Sequence, residues 1–368
     1  MWSKDKSCRL FDRQYLKRNG VELHDDITEL LGQPITASDY RRYDSLNRLI
    51  EAFDVSVGSY NSKEAVAGLS FGSNQWVECS REPDAACIAI SSQYVKLIAR
   101  IVDVDLGFPA YLEWASALRD ADLAQVIDGG RNGVFRYFGA DYEGEHQSYA
   151  DDSDIWRKSR GLGRRRRSAL GAIFFALGHE LGHLLHWRDE NKKFDKASRK
   201  KAYPSERRER LDKLRDAIGP LVPLDNPSHQ NEHLADHAAV EYTAVACKSA
   251  GIPLVYVMKG SFLTFLATGF DGWFHDGSRV SDSHPSAWAR MHSVLTAWGD
   301  FLLRQDDGGW VDVRRPTPEQ LYDVANTFVF CEWAAGLYGS HRNGGRAMFR
   351  DREDAFKVLK MAAGLQEG

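Results

Sequence analysis

The segment His179-Glu180-Leu181-Gly182-His183 sits inside an unbroken apolar stretch, and that combination restricts this chain more than any other feature. Residues Ala169 to Trp187 predict a single helix, since Ala169-Leu170-Gly171-Ala172-Ile173-Phe174-Phe175-Ala176-Leu177 and Leu184-Leu185 flank the motif without a break. On a helix, residues four apart lie one turn above each other, so both imidazoles project from one face and can grip one metal ion. Glu180 is one position round and points beside that ion, where a carboxylate can take a proton from a metal-bound water, the arrangement of a zinc hydrolase. The string itself arises by chance in roughly one in forty chains of this composition. Its setting is the stronger signal, because a helix buried nearly all round makes two histidines and a glutamate costly unless they are paired or bound to metal.

Two histidines need a third protein ligand, with a fourth position left open if the site is catalytic. Downstream, Asn231-Glu232-His233-Leu234-Ala235-Asp236-His237 opens a second buried helix that continues through Val245-Ala246 and carries two acids four apart. Glu232 is the candidate third ligand. Asp236, one turn on, suits the acceptor that fixes the tautomer of a ligand imidazole. Asp236 itself, His233 and His237 are rival ligands, and His186, seven residues after His179, could line the site or cap its helix. A second acid pair at Glu319–Asp323 follows Thr317-Pro318 and reads as the polar first turn of an exposed helix.

A third element is Asp282-Ser283-His284-Pro285-Ser286-Ala287-Trp288-Ala289-Arg290. Peptide hydrolysis puts negative charge on the carbonyl oxygen, and an electrophile beside the metal stabilises it. His284 is the candidate for that role, with Tyr242 and Tyr256 as alternatives. Pro285 suits the first turn of a helix that would carry Arg290 inward, to pair with a carboxylate such as Asp236 or to hold substrate.

Composition excludes several classes. The 48 basic and 52 acidic residues nearly cancel, which argues against a dedicated nucleic-acid binder, so nucleic acid is not an expected partner. Arg164-Arg165-Arg166-Arg167 reads as a solvated surface turn, since cations there oppose the dipole of the motif helix. The first eight residues lack the apolar core of a signal peptide, and the five cysteines (Cys8, Cys79, Cys87, Cys247, Cys331) are scattered without a CxxC pair. A cytoplasmic setting is expected. The run Leu254 to Phe270, broken by Lys259, Gly260 and Gly269, reads as a buried helix and not a membrane span.

Along the chain, residues 36–53 and 109–123 predict helices, 55–60, 75–79 and 86–91 predict strands, and 133–144 a strand pair or irregular loop. Residues 188–216 read as a charged surface excursion with a helix near 205–218 that could act as a flap. The expected class is α+β: a region over 1–150 whose small sheet walls the substrate cleft, an active-site core over 151–305, and a helical region over 306–368.

In order, His179-Glu180-x-x-His183, Glu232-x-x-Ala235-Asp236 and His284-Pro285-x-x-x-x-Arg290 resemble the gluzincin metallopeptidases. The last element is similar to the HtpX-like and CAAX-protease group, and the arrangement without a span looks most like the Lit-type phage-exclusion peptidases, cytoplasmic bacterial enzymes that cleave a translation elongation factor. The resemblance covers roughly residues 165–295 and implies a zincin-like core with Zn2+ on His179, His183 and Glu232, Glu180 as base, a protein or peptide substrate, and a role in antiviral defence. Two other classes fit parts of the sequence: a binding or signalling module with a structural zinc, closed by a fourth ligand such as His186 or His237, and a nucleic-acid effector using the arginine run.

Overall fold

The structure is a computed structural model that describes residues 10–11, 50, 53, 65–70, 77–82, 85–91, 94–95, 97–99, 101–102, 105–106, 163–189, 227–276, 285, 287–306 and 314–343. The expectations for 55–60, 109–123, 133–144, 190–216 and the helix near 205–218 lie outside these residues, as do most of 36–53 and His284.

Five long helices dominate: α1 (Arg164–Asp189), α2 (Pro227–Ser249), α3 (Leu254–Asp276), α4 (Ala287–Asp306) and α5 (Pro318–Asn343). Helix α1 is the apolar motif helix, and every residue from Ser168 to His179 is buried. A rod apolar on all sides has to be covered on all sides; α2 and α3 pack along it, while α4 lies against α2 and α3, and α5 against α3 and α4. Close packing on α3 comes from Gly171 and Gly260, where an added Cβ at either position would collide with the backbone of the other helix. Thr264 Oγ1 donates to the Ala172 carbonyl at 2.9 Å across the same crossing.

The helix ends follow from local chemistry. Helix α2 stops at Gly251, whose φ of 68° suits glycine, with Gly251 N–H bonded to Lys248 O at 3.0 Å and Ile252 N–H to Cys247 O at 2.8 Å. That pair of bonds is a Schellman ending, and Pro253 follows it. Helix α5 begins with a reciprocal cap: Thr317 N–H donates to Gln320 Oε1 at 2.9 Å and Gln320 N–H to Thr317 Oγ1 at 3.4 Å, with Pro318 as the first helical residue. Its first turn is exposed, but Leu321, Val324, Ala325, Phe328, Phe330 and Cys331 are buried, so α5 is a core helix and not an exposed one.

Two expectations are corrected. The arginine run is no surface turn but the first turn of α1: Arg164 pairs with Asp323 of α5 and Arg167 lies over the Tyr256 ring at 5.6 Å. Intramolecular partners outweigh the unfavourable helix dipole there. The α+β class, with an N-terminal sheet as cleft wall, is overturned as well, because the described residues are overwhelmingly helical. Short ladders do join β1 (Leu10–Phe11), β2 (Ala65–Ser70), β3 (Val77–Glu82) and β4 (Ala85–Ser91), in the order β1-β2-β4-β3. Among the described residues, however, every group that meets at the candidate site comes from a helix. The described residues below 110 add to the core: Ile88, Ile90, Val95, Ile98 and Val102 are buried, and Phe53 meets Phe174 of α1 at 5.5 Å.

Candidate metal centre

The site exists because α1 and α2 cross at small residues. A Cβ built on Gly182 would lie 2.8 Å from Ala235 Cα, and one on Gly178 would lie 3.2 Å from Ala239 Cα. The two backbones are therefore in contact, and the neighbours of those glycines, His179 and His183, face Glu232 and Asp236 at short range. One turn earlier on α1, Thr243 Oγ1 of α2 donates to the Phe174 carbonyl at 3.3 Å and fixes the register of the pair.

His179 Nε2 and His183 Nε2 are 3.0 Å apart. Glu232 closes the triangle, with Oε2 3.3 Å from His179 Nε2 and Oε1 3.1 Å from His183 Nε2. Atoms at the corners of a tetrahedron with bonds of about 2.0–2.1 Å are about 3.3–3.4 Å apart, so the donors stand close to the spacing a divalent cation of zinc's size demands. Two imidazoles and one carboxylate also match the donor set of catalytic zinc sites. Among the described residues this is the one group of three His, Cys, Asp or Glu whose ligand atoms all lie within 4.8 Å, and His179 and Glu232 are buried.

Around the donors stands a charged frame. Asp236 has no exposed surface, and its Oδ1 lies 2.9 Å from His179 Nδ1. A hydrogen bond there keeps a proton on Nδ1 and leaves Nε2 to face a cation. Arg290 of α4 forks onto Asp236, with Nε–H to Oδ2 at 2.9 Å and the NH2 group to Oδ1 at 2.7 Å, while its NH1 lies 3.2 Å from Glu232 Oε2. Burial opposes the Asp236 carboxylate, yet Arg290 and His179 overcome it and hold its pKa at about 2. Glu232 is likewise held well below the usual carboxylate range, by hydrogen bonds from His179 and His183 and by Arg290, in spite of burial. For His179, burial and Arg290 favour the neutral ring, but Asp236 and Glu232 win and push the pKa up to about 9. Burial also works against the Arg290 charge, which Asp236, Glu232 and Glu180 together stabilise, so its pKa is raised.

Glu180 follows His179 directly and is only half-buried, open to approach from outside. Of the rival ligands, Asp236 meets His179 at Nδ1 and not at Nε2, His233 is buried, with burial lowering its pKa, and His237 Nε2 is 3.1 Å from Ser293 Oγ across the α2–α4 seam. Tyr256 is engaged beneath Arg167, and half-buried Tyr242 packs on the core. The side chain of His186 and the whole of His284 lie outside the described residues. One neighbour has no signature in the sequence: Phe265 of α3, whose ring centroid lies 5.2 Å from the Arg290 guanidinium carbon. It is one apolar residue among many in that helix, and only the packing singles it out.

No protein-family model, no curated protein and no solved structure matches this chain. No helix among the described residues is long and apolar enough to cross a membrane.

Proposed function

We propose that this chain is a metal-dependent endopeptidase of the cytoplasm, in which His179, His183 and Glu232 hold a divalent cation, zinc by the preference of such a donor set. The observation that supports this reading is that His179 Nε2 and His183 Nε2, 3.0 Å apart, each face one oxygen of Glu232, at 3.3 and 3.1 Å, from two helices that touch through glycine. The cation supplies Lewis acidity, which makes water a nucleophile near neutral pH. A carboxylate oxygen of Glu180 takes the proton from the attacking water and delivers it to the nitrogen of the leaving amine. Its partial exposure lets it meet both substrate and solvent, where the ligand carboxylate is buried. Asp236 holds His179 in one tautomer, and Arg290 holds both carboxylates in place. Three donors and a partly exposed neighbouring carboxylate suit a catalytic site, which keeps one position open, and among the described residues three donors come together. The arginine run, which a nucleic-acid effector would need free, is engaged at Arg164 and Arg167.

The variant Glu180→Gln tests the role of the base. Loss of a general base costs about a hundredfold or more in turnover while the ligands stay in place. Cells expressing the parent chain should show new protein N-termini by terminal-enrichment mass spectrometry, and cells expressing Glu180→Gln should not, although both purified proteins carry equal metal. Equal cleavage by the two would remove the assignment.

A further inference from the structure

Arg290 is the point at which four helices meet: it leaves α4, grips Asp236 and Glu232 of α2, lies 3.1 Å from both ring nitrogens of His179 on α1, and covers Phe265 of α3. Its hydrogen-bonding edges are taken by the carboxylates, and Phe265 supplies what lies against its face. The Phe265 ring is itself fixed, 2 % exposed and edge-on to Phe175 at 5.5 Å and 72°. Phe175 stands one turn before His179 on α1. The aromatic pair is thus built onto the same helix face as the motif.

We propose that Phe265 is a positioning residue of this centre, whose ring face holds the guanidinium where its fork meets Asp236 and Glu232. A ring attracts a cation through its quadrupole, and the attraction grows when water is excluded. Two carboxylates and an imidazole surround Arg290, and a mobile guanidinium could slide among them. The Phe265 ring, with its centroid 5.2 Å from the guanidinium carbon, opposes that slide. Asp236 then stays aligned on His179 Nδ1, and Glu232 keeps both oxygens turned to the imidazoles. The consequence for ligand geometry rests on the metal-centre reading above; the grip of Phe265 on Arg290 does not.

Fluorine withdraws electron density from the ring with little change in volume, so mono-, di- and trifluorinated phenylalanine at position 265 of the full-length chain separate attraction from packing. In chelator-treated protein, hydrogen exchange of the Arg290 Nε–H, assigned by Arg290→Lys, reads the fork directly by nitrogen-15 NMR. Exchange should accelerate with each fluorine, by about tenfold across the series. Phe265→Leu, which fills the space without a π face, should match the fastest of them while keeping the helical circular dichroism of the parent. Exchange that is unchanged across the series and in Phe265→Leu would overturn the proposal. Cobalt(II) added to the same samples reports the ligand geometry: its visible bands should weaken along the series as the carboxylates loosen. If the parent chain gave no such bands, the metal reading would fall, and the exchange series would still decide the role of Phe265.

Discussion

His179 shows how a single side chain carries the chemistry of the site and can be tested through its proton. Burial and Arg290 disfavour its charge, but Asp236 and Glu232 raise its pKa to about 9 in the metal-free protein. A raised value means that protonated His179 stabilises the fold fully below its unfolded pKa of about 6.5 and that this contribution is lost as pH rises through about 9. Asp236 has the opposite sign: its pKa is depressed to about 2, so its contribution is present at neutral pH and fades as pH falls through that value. A cation binding at Nε2 has to displace the His179 proton, so affinity should rise with pH up to about 9, and binding at pH 7 should release about one proton from this residue. Calorimetric titration in buffers of different ionisation enthalpy measures that release, and a heat independent of buffer would contradict the assignment. At this scale much was legible, because helical spacing alone brings His179 and His183 onto one face and sets Glu232 one turn from Asp236. Phe265 was not legible, since its role depends on which helix faces which.

The crossing of α1 and α2 is the element-scale device that turns spacing into a site. Gly182→Ala puts a methyl group 2.8 Å from Ala235 Cα, a backbone atom that cannot rotate away. Overpacking of this kind costs about 1–3 kcal/mol, and the helices have to part to relieve it. Thermal unfolding should therefore come several degrees lower, with metal affinity falling more than stability alone explains; parent-like values for both would show that the contact is soft. Helix existence was readable from apolar periodicity: the expected 169–187 lies inside Arg164–Asp189, and the expected buried run 254–270 lies inside Leu254–Asp276. The extra turn at Arg164 was not readable, because its partner Asp323 is 159 residues away and no local rule supplies it. Strand-like texture over 75–79 and 86–91 overlaps β3 and β4, which pack on α1 beside the helices, but local texture does not reveal how far helices outweigh strands among the described residues.

Across the whole molecule, a second charged cluster ties distant parts of the chain together. Lys259 of α3 is 2 % exposed and lies 3.3 Å from both Asp105 and Asp323, and Asp323 also pairs with Arg164. Burial pushes the Asp105 pKa up, against the pull of Lys259 and a hydrogen bond with Thr327. Removing one member strands the other in a low-dielectric interior, so Lys259→Met should destabilise by about 3–5 kcal/mol, and adding Asp105→Leu should recover most of that loss. Denaturant titration of the two single variants and the double variant decides it: simple additivity would mean that the pair is not coupled. No local pattern foretells such a cluster, which joins residues from four separate stretches of sequence. The metal centre is the part of the molecule on which the functional reading stands, and metal analysis of protein purified without chelator tests it most directly. The parent should hold about one divalent ion per chain, mainly zinc, and His183→Ala should hold little; a parent that stays metal-free after exposure to zinc, or a His183→Ala variant with the full complement, would contradict the account.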